Sequence, residues 1–461
     1  MFVCFLMLVS CGLPYNVTCT QLSREYYCGD YLICSSQGKC SSCETDSQCP
    51  TKFYCKFSSK FNAKVCNYEP LSHDWDKMMI IGTIIILVSN LMVAGAGIGG
   101  GALYVPILII FCSFPAHYAI PTSKALIFGG TLATTLFNLK KRHVKFDRPL
   151  INFNIAALMQ PASWLGTILG VIINSMIPAW LQYTCQVALL SYTTWFTTKK
   201  GLTAHEKYKN EKLKANETKQ NEEQDEADDT ELKMEGEKQK AFDPMIIWIL
   251  LIVWAVFLVL VYLKGGQTTG SVLGISFCSS SYWLFTFLPF PVLFLFCWWI
   301  YSIVKHYPII GEKAEIHSKE TTILMASGLL IGLMAGFLGI GGGIIIGPIM
   351  LMLNIEAEEM TATSSFMICL TASSTTVQYM LNGILSFSDF LTYSVSGFVT
   401  FLIGMFLIKW LLDILGDRSI ILFILAGVIG VSSILMVIMG TQTIIEDIKN
   451  KLPMGFRAFC Q

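Results

Sequence analysis

A glycine-rich motif that occurs twice constrains this chain more than any other feature. GAGIGGG occupies residues 95–101 and is followed by Pro106, and GFLGIGGGIIIGP occupies residues 336–348. Shifting the first copy by 242 positions places four of its glycines on glycines and the proline on Pro348. A match of this length indicates a duplicated structural unit.

Each copy of the motif interrupts an apolar stretch. Because glycine costs ~1 kcal/mol relative to alanine in a helix interior, the clusters predict a break between a long helix and a short half-helix. Inside a bilayer, such backbone is tolerated only where it is buried in protein or lines a water-filled cavity. Broken segments in corresponding positions of two halves point to the binding site of a transporter.

The composition places the chain in a membrane. Hydrophobic residues make up 53% of it and charged residues 14%, with apolar runs of about 20 residues. We therefore predict an all-α polytopic membrane protein with two repeats, at 77–198 and 305–440, and two inserted spans within 244–304. The net charge is zero, so the overall charge indicates no nucleic-acid partner.

The N-terminal segment predicts that the residues after it enter the secretory pathway. Residues 1–15 are typical of a secretory signal peptide, and 16–76 form a polar, cysteine-rich module. An even set of cysteines behind a signal peptide indicates a disulfide-stapled lumenal or extracellular module, a zinc module being the alternative. Asn16 begins a glycosylation sequon. The disulfide candidates are Cys19, Cys28, Cys34, Cys40, Cys43, Cys49, Cys55 and Cys66.

Basic residues set the predicted orientation. The loop after Leu139 and the start of a charged linker at 199–243 are rich in lysine, which favours the cytosolic side. With the cysteine-rich module outside, the span count makes the two repeats inverted relative to each other. A polar tail follows at 441–461. We expect a multi-pass protein of the secretory pathway, in the plasma membrane or an endomembrane.

The candidate substrate site combines the glycine turns with polar groups nearby. Helix N-termini offer free amides to an anion, and an ionisable residue inside a span is functional by default. The alternatives are tight helix packing for the glycines, capping for the hydroxyls, and a snorkelling or paired lysine. The candidates are Gly97, Gly99, Gly100, Gly101, Thr122, Ser123, Lys124, Asn138, Gly339, Gly341, Gly342, Gly343, Thr363, Ser364, Ser365 and Gln378.

The sequence favours transport of a small anion over catalysis. It contains no phosphate-binding loop, no nucleophile with a nearby base and no metal-ligand spacing within the spans, so we expect no enzyme activity, cofactor or metal. Transport would follow a gradient or be coupled to H⁺ or Na⁺. The alternative function is a non-transporting membrane receptor or sensor that binds its ligand through the cysteine-rich ectodomain.

Several separated motifs resemble the TauE/SafE family of sulfite and organosulfonate exporters, especially its eukaryotic, plant-like branch. They are the two glycine motifs, SKALIFGG from Ser123, LKKRHVKFDRPLINFN from Leu139, ALMQPASWLG from Ala157, and the inserted spans with Cys278 and Tyr282-Trp283. The similarity covers roughly residues 78–440. It implies transport of small sulfur-containing anions such as sulfite or sulfonates. The cysteine-rich module is not part of the common family core, so the resemblance assigns no role to it.

Overall fold

The structure of the chain is a computed structural model. It describes residues 33–35, 37–49, 53–58, 63–68, 77–95, 97, 99–112, 114, 116–143, 148–222, 245–264, 273–275, 279–304, 318–338, 342–353, 355–381, 385–415 and 419–449. The predicted signal peptide, Asn16, Cys19, Cys28, Gly339, Gly341 and the end of the tail lie outside the described residues.

The N-terminal module is built on two small hairpins. Disulfides join Cys43 to Cys55 and Cys49 to Cys66, and Cys34 and Cys40 are also disulfide-bonded. Disulfide formation uses the thiols that a zinc module would need as thiolates. The strands pair antiparallel as β1 (Ile33–Cys34) with β2 (Cys40–Ser41) and β3 (Phe53–Ser58) with β4 (Ala63–Tyr68).

Helices form the rest of the described chain, as the composition predicts. Those of the first half are α1 (Lys77–Val93), α2 (Gly101–Ile110), α3 (Ala116–Leu139), α4 (Phe153–Met176) and α5 (Ala179–Glu222). The inserted segment forms α6 (Met245–Lys264), α7 (Ser280–Phe287) and α8 (Pro289–Val304). The second half forms α9 (Ser318–Leu338), α10 (Gly343–Met352), α11 (Ala357–Leu381), α12 (Phe387–Leu415) and α13 (Ile420–Lys449).

Six spans among the described residues are long and apolar enough to cross a membrane, which makes this an integral multi-pass protein. Three shorter apolar helices accompany them, namely α1, α2 and α10. The two predicted half-helices are therefore present after the glycine motifs. The six spans are Phe153–Ile173, Met245–Lys264, Ser280–Ile303, Thr321–Leu338, Phe387–Leu415 and Ile420–Ile445.

Three helix boundaries differ from those that the sequence indicates, which are helix starts at about Thr122 and about Thr363 and a span that ends at Phe196. α3 begins at Ala116 rather than near Thr122, because a proline close to a helix N-terminus removes only one early hydrogen bond. α11 begins at Ala357 rather than near Thr363, and acidic residues in its first turn suit the helix dipole. α5 continues through the basic part of the linker to Glu222, where lysine, glutamate and alanine favour helix.

Helices of the first half pack against helices of the second half. Under the 242-residue shift, α1 to α5 correspond in order to α9 to α13. α9 of the second half packs on α4 of the first half. The equivalent contact is also present, since α1 of the first half packs on α12 of the second half. Likewise α2 packs on α13 and α10 on α5, while α3 contacts α11 and α5 contacts α13. The two halves thus form one interlocked bundle.

Glycines allow a very close contact between α4 and α9. A Cβ built on Gly332 would lie 1.9 Å from the carbonyl oxygen of Ser163, and one on Gly166 would lie 2.2 Å from that of Leu329. Gly328 and Gly336 meet the α4 backbone in the same way. Small residues at four-residue spacing let two membrane helices approach backbone to backbone, and here they join the halves.

We expect Gly332→Ala to lower the melting temperature of the purified protein in detergent, because its methyl group would overlap the Ser163 carbonyl oxygen. Overpacking of this kind costs about 1–3 kcal/mol. Gly427→Ala is the matched control, since nothing lies within 4 Å of a Cβ at that α13 glycine. Equal melting temperatures for the two variants would show that α4 and α9 are not packed this closely.

Candidate functional site

The first glycine turn joins α1 to α2 through backbone that only glycine adopts readily. Gly97, Gly99 and Gly100 have φ values of +68°, +74° and +75°, in the left-handed region that penalises a side chain. Gly100 is the N-cap of α2, and its carbonyl accepts hydrogen bonds from the amides of Leu103 and Tyr104. The predicted break is therefore present, and Gly101 begins the half-helix.

This turn lies against the start of α11, in the other half of the chain. The hydroxyl of Ser364 donates a hydrogen bond of 2.7 Å to the carbonyl of Gly97. A Cβ at Gly97 would lie 2.7 Å from the Cα of Thr361. One hydroxyl of the predicted Thr/Ser group thus satisfies the broken backbone of the opposite repeat.

The tip of the turn reaches the place where α3 and α11 cross. A Cβ at Gly99 would lie 2.9 Å from Cγ2 of Ile127 on α3 and 3.2 Å from Cγ2 of Ile368 on α11. At ~1.5 Å per residue, Ile127 lies ~16 Å along α3 from its first residue, roughly midway. We call this contact of the turn with both helices the crossing.

Lys124 lies one helical turn before Ile127, on the same face of α3. Its side chain is buried, with 7% of its surface exposed. Within the described part of the chain, no hydrogen bond or ion pair involves its ammonium group. A buried cation without a counter-charge is costly, so this position favours an anionic ligand.

The predicted hydroxyl residues are buried on both helices of the crossing. Thr122 and Ser123 precede Lys124, and Ser123 donates to the carbonyl of Ile120 at 2.7 Å. Thr363 accepts a hydrogen bond of 2.9 Å from the amide of Asn152, the N-cap of α4. Ser365 is buried beside them. These residues lie inside their helices, so they do not cap the N-termini of α3 and α11.

The second glycine turn is described only in part. Gly342 is the N-cap of α10 with φ of −62°, a right-handed conformation unlike that of Gly100. Gly343 begins α10 and is buried, while Gly339 and Gly341 lie outside the described residues. The expected meeting of the two turns stays a prediction.

Two predicted site residues lie away from the crossing. Asn138 is buried near the end of α3, ~21 Å along the helix from Lys124 at ~1.5 Å per residue. Gln378 lies at a similar distance from Ser364 on α11, and it lines a separate cavity with Lys264 and Tyr282. The structure joins the first glycine turn to Ser364 and Ile127, and the role of the other site candidates stays a prediction.

A buried ion-pair cluster next to the crossing was not predicted. Glu359, near the start of α11, lies 2.9 Å from Nη1 of Arg148 and 3.3 Å from Nε2 of His143. It also accepts a hydrogen bond of 2.8 Å from Asn152. In the sequence His143 is a single histidine in a loop, and it lies with Arg148 in the LKKRHVKFDRPLINFN motif that carries the family resemblance. The cluster fixes the loop before α4 to the opposite repeat.

Helices, spans and crossing together define a multi-pass membrane protein of the transporter class. A family model described as "Sulfite exporter TauE/SafE" matches residues 82–227 and 245–436, well over half of the 461 residues. The chain therefore belongs to the TauE/SafE family, which is a family of membrane transporters rather than a class of enzymes.

Known proteins of similar sequence agree with this assignment. "Sulfite exporter TauE/SafE family protein 2" of Arabidopsis thaliana is 29% identical over 429 residues, covering 89% of this chain and 92% of the relative. Family protein 1 of the same plant is 28% identical over 396 residues, covering 83% and 88%. "Probable membrane transporter protein YunE" of Bacillus subtilis (strain 168) is 29% identical over 106 residues, which is 23% of this chain and 36% of that protein. No solved structure matches the chain.

Gly99→Ala should impair folding and membrane delivery, because the methyl group would be strained by the positive φ and would press on Ile127. Gly274→Ala measures the effect of the positive φ alone, since Gly274 has φ of +69° but nothing lies within 4 Å of its Cβ position. We expect the detergent-extracted yield and melting temperature to fall clearly for Gly99→Ala and only slightly for Gly274→Ala. Equal losses would mean that the turn is not packed into the crossing.

Proposed function

We propose that this protein is a secondary transporter of small sulfur-containing anions, of the sulfite or sulfonate class. The observation that carries the proposal is Lys124, a buried cation at the crossing with no counter-charge in the described chain. The names of the Arabidopsis relatives, which are sulfite exporter family proteins, suggest the substrate class. An anion bound beside Lys124 would provide the missing negative charge.

The groups around Lys124 suit an oxyanion. Thr122, Thr363 and Ser365 place hydroxyls on the two crossing helices, and hydroxyls donate hydrogen bonds to sulfur oxyanions. The Ser123 hydroxyl donates to the carbonyl of Ile120, so it would have to exchange that hydrogen bond for one to the anion. The first amides of α2 add donors, since the initial N–H groups of a helix lack intrahelical partners. Its N-terminus also carries a partial positive charge. In this proposal the lysine, the hydroxyls and the helix N-terminus act on the same anion.

Alternating access follows from the proposed symmetry of the two halves. The hydroxyls of Ser191 and Ser433 lie 3.1 Å apart, and these residues are 242 positions apart in the chain. Two equivalent residues of a repeat touch when they lie at a twofold axis between the copies. We propose that this axis lies in the membrane plane, so that the repeats are inverted and rock against each other around the crossing.

The proposed orientation places the cysteine-rich module outside the cell or in the lumen. The basic loop after Leu139 and the start of the 199–243 segment then face the cytosol. This arrangement requires a signal peptide at residues 1–15 and routing through the secretory pathway. Transport would be driven by the anion gradient or by coupling to H⁺ or Na⁺.

Lys124→Met should lower sulfite flux into proteoliposomes by roughly tenfold to a hundredfold, because a hydrogen bond to a charged group contributes about 1.5–3 kcal/mol. Lys124→Arg, which keeps the charge, should retain part of the flux. Lys409→Met is the control, since that lysine is exposed on α12. Flux of labelled sulfite, sulfate and taurine is measured with and without a pH gradient.

Two outcomes of the flux measurement would contradict a role of Lys124 in anion binding. Unchanged sulfite flux in Lys124→Met, at equal reconstitution into liposomes, would make Lys124 a structural residue and remove the main support for an anion site at the crossing. Equal losses in Lys124→Met and Lys409→Met would indicate a general effect of positive charge rather than a bound anion.

A further inference from the structure

A second cavity lies away from the crossing, where the inserted helices meet the bundle. It has a volume of about 70 Å³, is partly open and is lined by parts of α4, α6, α7, α8 and α11. Apolar side chains form most of its wall, including Ile168, Phe257, Val261 and Phe285. At ~10–15 Å³ per water on this measure, the space holds roughly five waters. A small ligand would fit.

Lys264 gives this cavity a positive charge. It is the last residue of α6, and its ammonium lies 4.7 Å from the ring centroid of Tyr282. Within the described chain it makes no ion pair, and the connecting residues 265–278 contain no aspartate or glutamate. The lysine therefore lies over an aromatic face at the cavity without a carboxylate to neutralise it.

Gln378 contributes a second polar group to the same cavity. It is half-buried on α11, and no hydrogen bond involves its amide among the residues that the structure describes. Its counterpart in the first repeat is Leu136, which is 49% exposed on α3. Because α6, α7 and α8 also have no counterpart in the first repeat, the described part of that repeat lacks the equivalents of most residues that line the cavity.

The cavity lies at one end of the bundle. Lys264 ends α6, Gln378 is in the last turn of α11, and Thr167 to Ile172 belong to the second half of α4. In the orientation proposed above, this is the outer end. Val171, 43% exposed, marks an apolar margin of the cavity that an extended ligand could reach.

We propose that this cavity binds an organic monoanion, namely a sulfonate or carboxylate carrying a short apolar group. One lysine balances one negative charge, whereas a dianion would keep an uncompensated charge in a largely apolar space. The anionic group would lie between Lys264 and Gln378, and its apolar part would contact Ile168 and Phe257. The site is separate from the crossing and goes beyond the transport proposal.

The test is binding of 1-propanesulfonate to the purified full-length protein in neutral detergent at low ionic strength, measured by calorimetry. We expect saturable binding that Lys264→Gln weakens by about tenfold or more, the equivalent of 1.4 kcal/mol. Gln378→Leu, which introduces the residue of the other repeat, should weaken binding by a smaller factor. Lys199→Gln is the matched control, because Lys199 also lies over an aromatic ring, that of Trp195, at 5.5 Å.

Equal affinity in Lys264→Gln and the unaltered protein would overturn the proposal. Loss of binding in Lys124→Met with binding retained in Lys264→Gln would overturn it too, since the anion would then occupy the crossing. Binding of phosphatidylglycerol in nanodiscs without any binding of 1-propanesulfonate would assign the cavity to lipid and also contradict it. Sulfite flux is measured separately, so failure here leaves the transport proposal intact.

Discussion

Broken backbone inside a bilayer must be covered by protein, and this requirement governs the structure. The glycine turn before α2 interrupts the helical hydrogen bonding, so the polar groups left unpaired there need partners that lipid does not provide. The start of α11 supplies one of them through Ser364, and α3 and α11 close over the tip. Since α11 belongs to the other half, the turn makes each half dependent on its partner. The glycine contacts between α4 and α9 extend the same dependence along the bundle.

The buried side chains of Glu359 and Lys124 differ in whether a group of opposite charge lies beside them. Glu359 is surrounded by Arg148, His143 and Asn152, so its charge is compensated and it holds the loop before α4 against the opposite repeat. Removing one partner of such a cluster is strongly destabilising because an uncompensated buried charge is left behind. Lys124 has no such partner in the described chain. The first arrangement is therefore structural, whereas we propose that the second binds a ligand of opposite charge, which is the physical basis of the transport proposal.

Most of the fold could be predicted from local sequence signals. The half-helices after both glycine motifs, the membrane class and the family are confirmed, because glycine clusters and apolar run lengths act locally. Both α3 and α11 begin earlier than expected, since Pro121 is accommodated inside α3 and the acidic residues Glu358 and Glu359 suit the first turn of α11. The roles of His143, Arg148 and Glu359 could not be found, because residues more than 200 positions apart meet only in the folded bundle. Gln378 was grouped with the site at the crossing for the same reason, although it lines the cavity at Lys264.

The most direct measurement is an experimental structure of the protein in nanodiscs with bound sulfite. The account predicts density for the anion at the crossing, in contact with the Lys124 ammonium and flanked by the hydroxyls of α3 and α11 beside the first glycine turn. Density for sulfite elsewhere in the bundle, with the crossing closed by protein side chains and Lys124 paired with a carboxylate, would contradict it.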